Sequence, residues 1–560
     1  MNTNVPFVGN TAVCGVPGTG WEWNVTVSVP SAVSTQTFSV LVNGAVQATL
    51  TGDQIYGPIG LAGIELLTVT GTTVYTGQAV LVSGDVRYVG VGEANPPPNS
   101  YNILDYGADP TGANDSTAAI QAADAAAAVD GGVIYAPPGT FIAEGLVPSS
   151  NTRWVGAGTG ATILKLKAAA TSPLIAQVVS AGGTFHDWSI EDMTLDGNGT
   201  TTQYTLAIDT SANSNITYYN LTAIGCTFQN GYVGAFHAGN NSSSGPTTNG
   251  MKWQRCRFSA NQYGLAFGGT YGEEVSHCYF ARNTLWNLCT LSAWEVPLTG
   301  GSGPTACPII DDVRVEGIGN FSGSGTDNGI SIGASAGIAS DLYISNVSNY
   351  AFTWASSEGF ASVLSNINGW GNGSGIHLTG VSSTDAGSLT NFAWNQGGQN
   401  TNLSSALRSP LSIGQGGWVV SKGTITNGTN VPAYGISLGY DGGGSTVNQA
   451  IFEDVSFPSF GTSLYQLNST PLGGLFALRN CQGVNPTGAQ TAPAIPASGT
   501  ALTNPFPFDC TVAITGTCTV TVGGIEVASI SGGPSPVFLA AGQTITLTYT
   551  TAPTWAWTGH

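Results

Sequence analysis

Alternation of apolar and polar residues dominates the first 92 positions of the chain. Residues 21–29 read Trp-Glu-Trp-Asn-Val-Thr-Val-Ser-Val, so apolar side chains occupy every second position. A period of two is typical of a strand with one buried side. The pattern returns around Phe38 and again after Asn43-Gly44, the usual two-residue turn of a β-hairpin. Residues 1–92 therefore predict a small antiparallel β domain.

A different pattern begins after residues 93–100, where three consecutive prolines favour a stiff, extended linker. Residues 117–129 carry Ala and Ile at helical spacing. They follow Asp115 and Ser116, which are good N-cap residues, and a pair of glycines starting at Gly131 ends the pattern. The sequence predicts one short α-helix here.

Short apolar strands then recur at irregular intervals through residues 101–482. Three of them share the pattern Cys-x-Phe and begin at Cys226, Cys256 and Cys278, at intervals of 30 and 22 residues. Irregular periods in the twenties indicate the coils of a solenoid with loops of varied length. Further coils are placed near Val313, Leu342, Leu364, Thr424 and Val455.

Cysteine and asparagine recur with these coils. The cysteines are interpreted as buried free thiols that pack as small hydrophobic groups, rather than as a disulfide framework. Asn230, Asn261 and Asn283 follow the Cys-x-Phe cysteines by four or five residues. They predict a stacked asparagine ladder at a tight bend.

The last part of the chain changes character twice. Residues 483–503 are rich in Pro, Ala, Gly and Thr, which predicts a second linker. Residues 504–560 alternate again and predict a small β module. Its Cys510 and Cys518 could bridge a hairpin, but reduced thiols are expected in a protein that folds in the cytosol.

The most specific segment is residues 101–141. It contains Asp-Tyr-Gly-Ala, then Asp-Ser-Thr-Ala-Ala-Ile-Gln, then Gly-Gly-Val-Ile and finally Pro-Pro-Gly-Thr-Phe. This order closely resembles the opening of the pectate-lyase-like and polygalacturonase-like superfamily, whose helix caps a right-handed parallel β-helix and carries no catalytic residue. The resemblance implies an all-β fold: a right-handed parallel β-helix over residues 101–482, with small antiparallel β domains at both ends.

The C-terminal module resembles the small terminal β modules of actinobacteriophage tail proteins, which have a similar Asn-Pro-Phe-Pro start and Pro-Thr-Trp-x-Trp end. These resemblances, with the order of a small β domain, a Pro-rich linker, a capped β-helix and a small terminal β module, imply a bacteriophage tail spike or tail fibre protein. Such a protein would be folded in the host cytoplasm and located in the virion. Such proteins are typically homotrimers. Residues 1–92 would attach to other tail or baseplate proteins, and residues 504–560 would serve trimerisation or glycan binding.

Charge narrows the expected partners. Lys and Arg total 12 while Asp and Glu total 31, which gives a net charge of −19. Such a surface repels phosphate backbones and anionic lipid, so neither nucleic acid nor a membrane is expected as a partner. No apolar stretch reaches the ~18 residues of a membrane span, and residues 1–20 lack a signal-peptide pattern. A neutral or weakly charged glycan fits better, namely a host surface polysaccharide.

The catalytic motifs of polygalacturonases are not matched. Asp311-Asp312 is the only Asp pair, and Asn-Thr-Asp, Gly-His-Gly and Arg-Ile-Lys are absent. The pair is interpreted as a turn at the start of a strand, and no family catalytic residue is carried over. Lysine is scarce, so a lyase of this family is less favoured than a hydrolase.

A glycosidase needs two carboxyl groups at one site. Glu295, Glu358 and Asp385 each follow the second strand of a predicted coil, and Asp327 enters a second strand between the two glutamates. At ~4.8 Å per coil, Glu295 and Glu358 would stand ~9.6 Å apart, near the upper limit for an inverting pair. Glu295, Asp327 and Glu358 are the candidate catalytic residues, and the alternative is that they are solvated turn residues.

Candidate substrate contacts lie close to these acids in sequence. They are Trp294, Trp354, Trp370 and Asp385. Flat aromatic faces suit sugar rings. The alternative is that the tryptophans fill the core or a subunit interface.

The histidines at 186, 237, 277 and 377 show no metal-binding spacing, so no metal and no other cofactor is expected. His277 precedes Cys278, but neighbours on a strand face opposite ways, which favours a structural role for both. Two functions remain: a depolymerase that hydrolyses the host polysaccharide, and a receptor-binding tail protein without catalysis. A bacterial surface adhesin is a third, weaker possibility, since no export signal is visible.

Overall fold

The computed structural model describes residues 3–5, 11–15, 21–28, 37–42, 45–51, 54–61, 64–71, 81–88, 100–177, 183–209, 217–239, 249–291, 305–321, 326–356, 361–380, 385–439, 447–467, 472–482 and 488–559. The chain divides into two compact units, and each is described by itself. Unit 1 comprises Met1–Gln177, His186–Leu206 and Thr222–Gly231; unit 2 comprises Val178–Phe185, Ala207–Leu221 and Tyr232–His560.

Unit 1 begins with two antiparallel four-stranded sheets. Their strands are β1 Thr3–Val5, β2 Thr11–Gly15, β3 Trp21–Ser28, β4 Thr37–Val42, β5 Ala45–Thr51, β6 Gln54–Leu61, β7 Ile64–Gly71 and β8 Leu81–Tyr88. The strand orders are β1-β8-β3-β6 and β2-β7-β4-β5. Strands β4 and β5 pair antiparallel, with Val42 opposite Ala45, as the hairpin prediction required.

The next elements form a cap and the first parallel coils. They are β9 Ser100–Asn102, a 3₁₀ helix Ile103–Tyr106, β10 Thr111–Asp115, α1 Thr117–Ala128, β11 Val133–Ala136, β12 Gly139–Ala143, β13 Arg153–Gly156, β14 Thr162–Leu166, β15 Ile175–Gln177, β16 Thr184–Glu191, β17 Thr194–Asp196, β18 Tyr204–Asp209, β19 Thr217–Ile224 and β20 Thr227–Gln229. Strands β12, β14, β17 and β20 pair in parallel, which stacks four buried side chains in register. The stack is Phe141, Leu164, Leu195 and Phe228.

Helix α1 confirms the predicted helix, and its cap distinguishes the two candidate residues. The Asp115 carboxylate accepts a hydrogen bond from the Thr117 amide at 2.9 Å. The Ser116 hydroxyl instead accepts from the Asp109 amide. Asp115 therefore satisfies an amide of the first turn, and Ser116 ties the preceding loop to the helix.

Unit 2 contains a stack of parallel coils. Its strands are β21 Val233–Ala238, β22 Lys252–Gln254, β23 Arg257–Ser259, β24 Tyr263–Gly268, β25 Glu274–Ser276, β26 Tyr279–Ala281, β27 Trp286–Thr290, β28 Thr305–Ala306, β29 Ile309–Asp311, β30 Arg314–Glu316, β31 Asn328–Ser335, β32 Ile338–Ser345, β33 Phe352–Ser356, β34 Ala361–Trp370, β35 Ile376–Gly380, β36 Ala386–Asn395, β37 Leu411–Ile413, β38 Gly416–Thr426, β39 Tyr434–Leu438, β40 Val447–Ser456, β41 Ser463–Leu467 and β42 Leu472–Arg479. A four-residue helix, α2 Ser405–Arg408, precedes β37.

Three stacked sets of strands recur in unit 2. Face 1 consists of β22, β25, β29, the first halves of β32, β34, β36, β38 and β40, and β42. Face 2 consists of β23, β26, β30 and the second halves of the same long strands. Face 3 consists of β21, β24, β27, β31, β33, β35, β37, β39 and β41. The register is parallel throughout, as in the pairing of β34 with β36.

A single residue with positive φ joins face 1 to face 2 in each coil and forms what we call the corner column. Its members are Arg255, His277, Asp312, Asp341, Asn366, Asn391, Lys422, Asp454 and Asn480, with φ between 46° and 55°. One left-handed residue bends the strand sharply without an intervening loop. Its own side chain is left half-buried or exposed, and the side chain that follows it turns inward.

The inward positions after the corner column explain the repeated cysteines. Cys256 and Cys278 are buried there, and the Cys278 thiol donates to the carbonyl oxygens of Trp253 and Ser276 at 3.3 Å each. These cysteines are free, as predicted. In later coils the same position holds Ile367 and Gly423, so the predicted coil anchors Leu364 and Thr424 were misplaced by three residues and one residue.

The asparagine ladder is confirmed in part. Asn283 Oδ1 accepts hydrogen bonds from the backbone amide and the side chain of Asn261 at 3.0 and 3.1 Å, and both residues are buried. Asn230 does not belong to this ladder. It has a φ of 56° and its side-chain amide donates to Asp196 in unit 1.

Large and small inward side chains alternate along the coils. A Cβ at Gly369 would lie 2.3 Å from the ring of Trp394, and a Cβ at Gly423 would lie 1.9 Å from the ring of Phe392. Each aromatic ring therefore occupies the space above a glycine of a neighbouring coil. Face 3 is covered on both sides, because every residue of β21, β24, β27 and β31 is buried.

The last strands of unit 2 form an antiparallel module. They are β43 Gly488–Gln490, β44 Ala501–Thr503, β45 Cys510–Val522, β46 Ile525–Leu539, β47 Thr544–Thr548 and β48 Thr554–Gly559, in the order β43-β48-β45-β47-β44 with β46 on β45. The Pro- and Gly-rich residues 483–503 thus supply two of its strands. Cys510 and Cys518 are buried and free. Together with Trp557 they belong to the module's own core.

The predicted fold class is confirmed: the chain is an all-β protein with a right-handed parallel β-helix. The homotrimer stays a prediction. Among the described residues, no helix has the length and apolar character needed to span a membrane.

Candidate functional site

Three of the candidate residues, Trp294, Glu295 and Glu358, lie outside the described residues. Their roles therefore stay predictions. The remaining four, Asp327, Trp354, Trp370 and Asp385, have defined positions in unit 2, and those positions differ in kind.

Asp327 is fully buried at the turn that leads into face 3. Its Oδ2 accepts hydrogen bonds from the amides of Ile318, at 2.8 Å, and Ser348, at 3.2 Å. Asn283 and Asn372 make the equivalent contact in other coils, since their Oδ1 atoms accept from the amides of Asn261 and Val347. Asp327 thus stands in a structural ladder position rather than at an open site.

The Oδ1 of Asp327 is buried and has no hydrogen-bond partner in the described structure. An asparagine there would direct its amide group at this point, as Asn372 does when it donates to the carbonyl of Ile344. Burial raises the pKa of Asp327 above its ordinary value, although hydrogen bonds from Ser348 and the Ile318 amide oppose this. A buried acid without access to solvent does not fit the expected catalytic role.

Trp354 and Asp385 do not present a surface to a ligand. Trp354 is fully buried and packs against Phe352, with ring centroids 6.3 Å apart. Asp385 has only 1% of its surface exposed. Neither can contact a glycan in this conformation, so the expectation that both bind substrate is corrected: both belong to the interior.

Trp370 does reach the surface. It is half-buried at the end of β34 and alternates with the inward Gly369. The register places Trp370 beside Ser345, and Ser345 beside Glu316, in one column of face 2, where Ser345 and Glu316 are buried. At ~4.8 Å per coil, Trp370 and Glu316 stand about two coils apart on the same column.

A second outward column runs beside it on face 2. It contains Arg257, Tyr279, Arg314, Tyr343 and Asn368 in register. Arg314 and Asn368 are exposed, and the other three are half-buried. The two columns together bring cationic and aromatic side chains to one surface beside the buried Glu316, and we call this group the face-2 cluster.

Contacts within the face-2 cluster fix its centre. The Tyr279 hydroxyl donates to the Glu316 carboxylate, and the Arg257 guanidinium lies over the Tyr279 ring, 4.9 Å from its centroid. Burial and the neighbouring Glu316 raise the pKa of Tyr279 well above its ordinary value, although Arg257 and Arg282 oppose this. The phenol is therefore protonated at neutral pH and acts as a hydrogen-bond donor.

The rim of the cluster is also charged. Arg314 is exposed on the column between Tyr279 and Tyr343. Burial raises the pKa of Tyr343, and its two charged neighbours act in opposite directions: Arg314 lowers the pKa and Glu316 raises it. The arrangement offers guanidinium groups for anionic or hydroxyl-bearing ligands and aromatic faces for stacking.

Of this cluster the sequence predicted only Trp370 as a ligand contact, because the arginines and tyrosines lie far apart along the chain. The signal was nevertheless present: five of the 12 Lys and Arg residues of the chain fall between residues 252 and 314. Each of these side chains directly follows a predicted coil position: Arg257 follows Cys256, Tyr279 follows Cys278 and Arg314 follows Val313. Knowledge of the corner column would have placed them on one surface.

Asp311 and Asp312 occupy the turn that was predicted for them. Asp311 ends β29 and its carboxylate accepts from the Ser340 hydroxyl at 2.5 Å. Asp312 lies in the corner column with a φ of 46°, so the bend turns both side chains outward. His277 is exposed in the same column while Cys278 is buried, so the two side chains do not meet.

A buried polar group lies apart from the face-2 cluster. The Glu273 carboxylate accepts from Trp253 Nε1 at 2.7 Å and from the Met251 amide at 3.1 Å, and lies 3.0 Å from His237 Nδ1. Glu273 and His237 are fully buried. These contacts join Glu273 to residues of neighbouring coils of the β-helix, and the buried carboxylate is closed to a ligand. In the part of the chain that the structure describes, no three His, Cys, Asp or Glu side chains form a metal-binding group.

Comparisons with known proteins agree with the fold. Residues 100–377 match the family model described as Rhamnogalacturonase A/epimerase, pectate lyase-like. Residues 100–377 are thus similar to the pectate-lyase-like family, and the stacked parallel coils define the fold class, a right-handed parallel β-helix.

Two curated relatives come from Azotobacter vinelandii. Alginate lyase 7 is 41% identical over 113 residues, which is 18% of this chain and 13% of the lyase. Mannuronan C5-epimerase AlgE1 is 42% identical over 108 residues, which is 18% of this chain and 8% of the epimerase. The chain therefore matches only a small part of each relative.

Two solved structures illustrate the likeness in fold. The catalytic unit of a thermostable GH87 alpha-1,3-glucanase from Streptomyces thermodiastaticus strain HF3-3 is 18% identical and covers 84% of this chain and 89% of its own, with a TM-score of 0.42. ORF18 of Geobacillus virus E2 is 14% identical and covers 80% of this chain and 76% of its own, with a TM-score of 0.37.

Proposed function

We propose that the chain is a bacteriophage tail spike protein that binds a polysaccharide of the host surface through the face-2 cluster. The observation that carries the proposal is the register of face 2, which sets Arg257, Tyr279 and Arg314 in one outward column beside Glu316 and Trp370. Flat aromatic rings and hydrogen-bonding charged groups on a rigid sheet are what a glycan chain requires.

The cluster favours a glycan that carries negative groups. Arg257 and Arg282 act on Tyr279 and Arg314 acts on Tyr343, and both tyrosines also lie near the buried carboxylate of Glu316. Guanidinium groups pair with carboxylates through two parallel hydrogen bonds. The net charge of −19 opposes an acidic ligand at this cluster only weakly, because charges more than about 8 Å away are screened at physiological salt. The sequence alone predicted a neutral or weakly charged partner, so this proposal refines that expectation.

The names of the relatives support a polysaccharide as the ligand, since one is an alginate lyase and another a mannuronan epimerase. The tail spike role rests on the sequence resemblances of the helical cap and the C-terminal module. Detection of the chain by mass spectrometry in purified virions would test that role. Its absence from virions would contradict it.

Hydrolysis of the bound glycan is the catalytic part of the proposal, with Glu295 and Glu358 as the candidate acids. The alternative is a receptor-binding tail protein without catalysis. The burial of Asp327 favours the alternative, because it removes one of the three candidate acids from any open groove.

A reducing-end assay on purified envelope polysaccharides separates the two functions. New reducing ends that disappear in Glu295→Gln or Glu358→Gln would establish a hydrolase. Binding without release, measured on a panel that includes the true host polysaccharide, would leave an adsorption protein. No binding to any acidic or neutral polysaccharide of the panel would contradict the proposal as a whole.

A further inference from the structure

His277 is an exposed histidine at the edge of the face-2 cluster and takes no part in the contacts that define it. It lies in the corner column, two residues before Tyr279, and 60% of its side chain is exposed. The other histidines that the structure describes in unit 2, His237 and His377, are buried. Histidine is the side chain whose charge ordinarily changes between pH 5 and pH 8. His277 therefore offers a charge change beside the cluster within that range.

The neighbour of His277 in the next coil is an acid, Asp312. The registers of the flanking strands, β25 with β29 and β26 with β30, set the two corner residues side by side. His277 Nε2 lies 3.7 Å from an oxygen of the Asp312 carboxylate, and 48% of the Asp312 side chain is exposed. Asp312 precedes the exposed Arg314 by two residues. Its negative charge is thus close to the cationic column of the cluster.

The other groups at this edge keep their charge while histidine titrates. Three coils meet there, and their outward charged or titratable side chains within two residues of the corner, besides His277, are Arg255, Arg257, Tyr279, Asp311, Asp312 and Arg314. Arginine and aspartate ordinarily stay charged between pH 5 and pH 8. The raised pKa of Tyr279 keeps its phenol protonated in the same range. Protonation of His277 is thus the charge change expected at this edge.

We propose, on the basis of the function proposed above, that His277 couples glycan binding at the face-2 cluster to pH through Asp312. With His277 neutral, the Asp312 carboxylate opposes the approach of an acidic sugar to Arg314. With His277 protonated, the imidazolium offsets that carboxylate, so an acidic glycan binds more tightly as the pH falls. Both groups are exposed and screened by solvent, so we expect a graded change of about threefold in Kd.

Two substitutions of His277 test the coupling, and both copy residues that other coils place in the corner column, where Asn366 and Lys422 have φ values of 55° and 54°. Calorimetry with the acidic polysaccharide fraction of the host envelope gives the Kd of the full chain at pH 8 and pH 5.5. Wild type should bind about threefold more tightly at pH 5.5. His277→Asn should bind equally at both pH values. His277→Lys, permanently charged, should bind at pH 8 as tightly as wild type does at pH 5.5.

A histidine of unit 1 provides the matched control. His186 Nδ1 lies 2.8 Å from the Asp187 carboxylate, and His186→Asn should keep the pH dependence of wild type. Binding by wild type with the same Kd at both pH values, or a pH dependence retained in His277→Asn, would overturn the coupling and leave glycan binding established. No binding at either pH would overturn the proposed function and the coupling together.

Discussion

At the scale of single residues, an acidic side chain can have either a catalytic or a structural role, and Asp327 is the example. Asp327 was selected from the sequence as an acid near two glutamates, yet its carboxylate takes the place that Asn283 and Asn372 hold in other coils. A carboxylate matches the amide oxygen of Asn but lacks its donor group. No sequence pattern distinguishes an acid in a groove from an acid in a ladder, because both occur in a turn before a strand.

Replacement of Asp327 by Asn is expected to stabilise the protein at neutral pH by about 1 kcal/mol, since it removes a buried charge whose Oδ1 has no hydrogen-bond partner. The raised pKa of Asp327 means that the folded state holds its proton to higher pH than the unfolded state. The cost is therefore absent below the unfolded pKa, near 4, and grows as the pH rises through the folded pKa.

Thermal midpoints of wild type and Asp327→Asn at pH 4 and pH 7 check this prediction. The gain of the variant should be larger at pH 7. A variant less stable than wild type at pH 7, or a gain confined to pH 4, would show that the carboxylate is preferred there and that Asp327 has another role.

Trp354 and Trp370 were both predicted as glycan contacts, but their substitution is expected to have opposite effects on stability and on glycan binding. Trp354 is fully buried, so Trp354→Ala should cost ~3–5 kcal/mol of stability. Trp370 is half-buried on the face-2 cluster, so Trp370→Ala should leave stability nearly unchanged and weaken glycan binding several-fold, to ~10-fold. Denaturant titration and glycan titration of both variants give the comparison. A Trp370→Ala chain that binds glycan normally would exclude the ring from the binding surface.

At the scale of the element, the coil is defined by its corner rather than by its strands. Most members of the corner column are Asp or Asn, which tolerate positive φ, but Arg255, His277 and Lys422 take the same conformation. Because the corner residue varies, the predicted coil positions agree with the structure at the cysteines but are shifted by a few residues at Leu364 and Thr424. The helix α1 was easier to predict, because its cap, apolar spacing and terminal glycines all lie within one short segment.

The corner column makes a prediction about backbone strain at Lys422, which is exposed and has a φ of 54°. Lys422→Val places a β-branched side chain in the left-handed region and should cost about 1–2 kcal/mol. Lys422→Gly removes the same charge without the steric cost and should be neutral or slightly stabilising. Denaturant midpoints of the two variants decide the matter; equal destabilisation by both would assign the effect to the lost charge.

At the scale of the whole molecule, the net charge does not indicate the charge of the proposed ligand. The chain is strongly acidic, and the sequence alone favoured a neutral partner. The fold brings Arg257 and Arg282 close to Tyr279, and Arg314 close to Tyr343, in the same part of unit 2 as the buried Glu316. Such a cluster is visible only after the register of the coils is known, since the three residues are separated by up to 57 positions in the sequence.

The central claim is that the face-2 cluster binds an acidic glycan, and the most direct test is a calorimetric titration with acidic oligosaccharides from the host surface. It compares wild type, Arg314→Gln and Lys252→Gln, because Lys252 is also exposed and cationic but lies on face 1. The account predicts at least ~10-fold weaker binding for Arg314→Gln, as for a lost charge-assisted hydrogen bond, and unchanged binding for Lys252→Gln. Equal affinities for all three chains would contradict it.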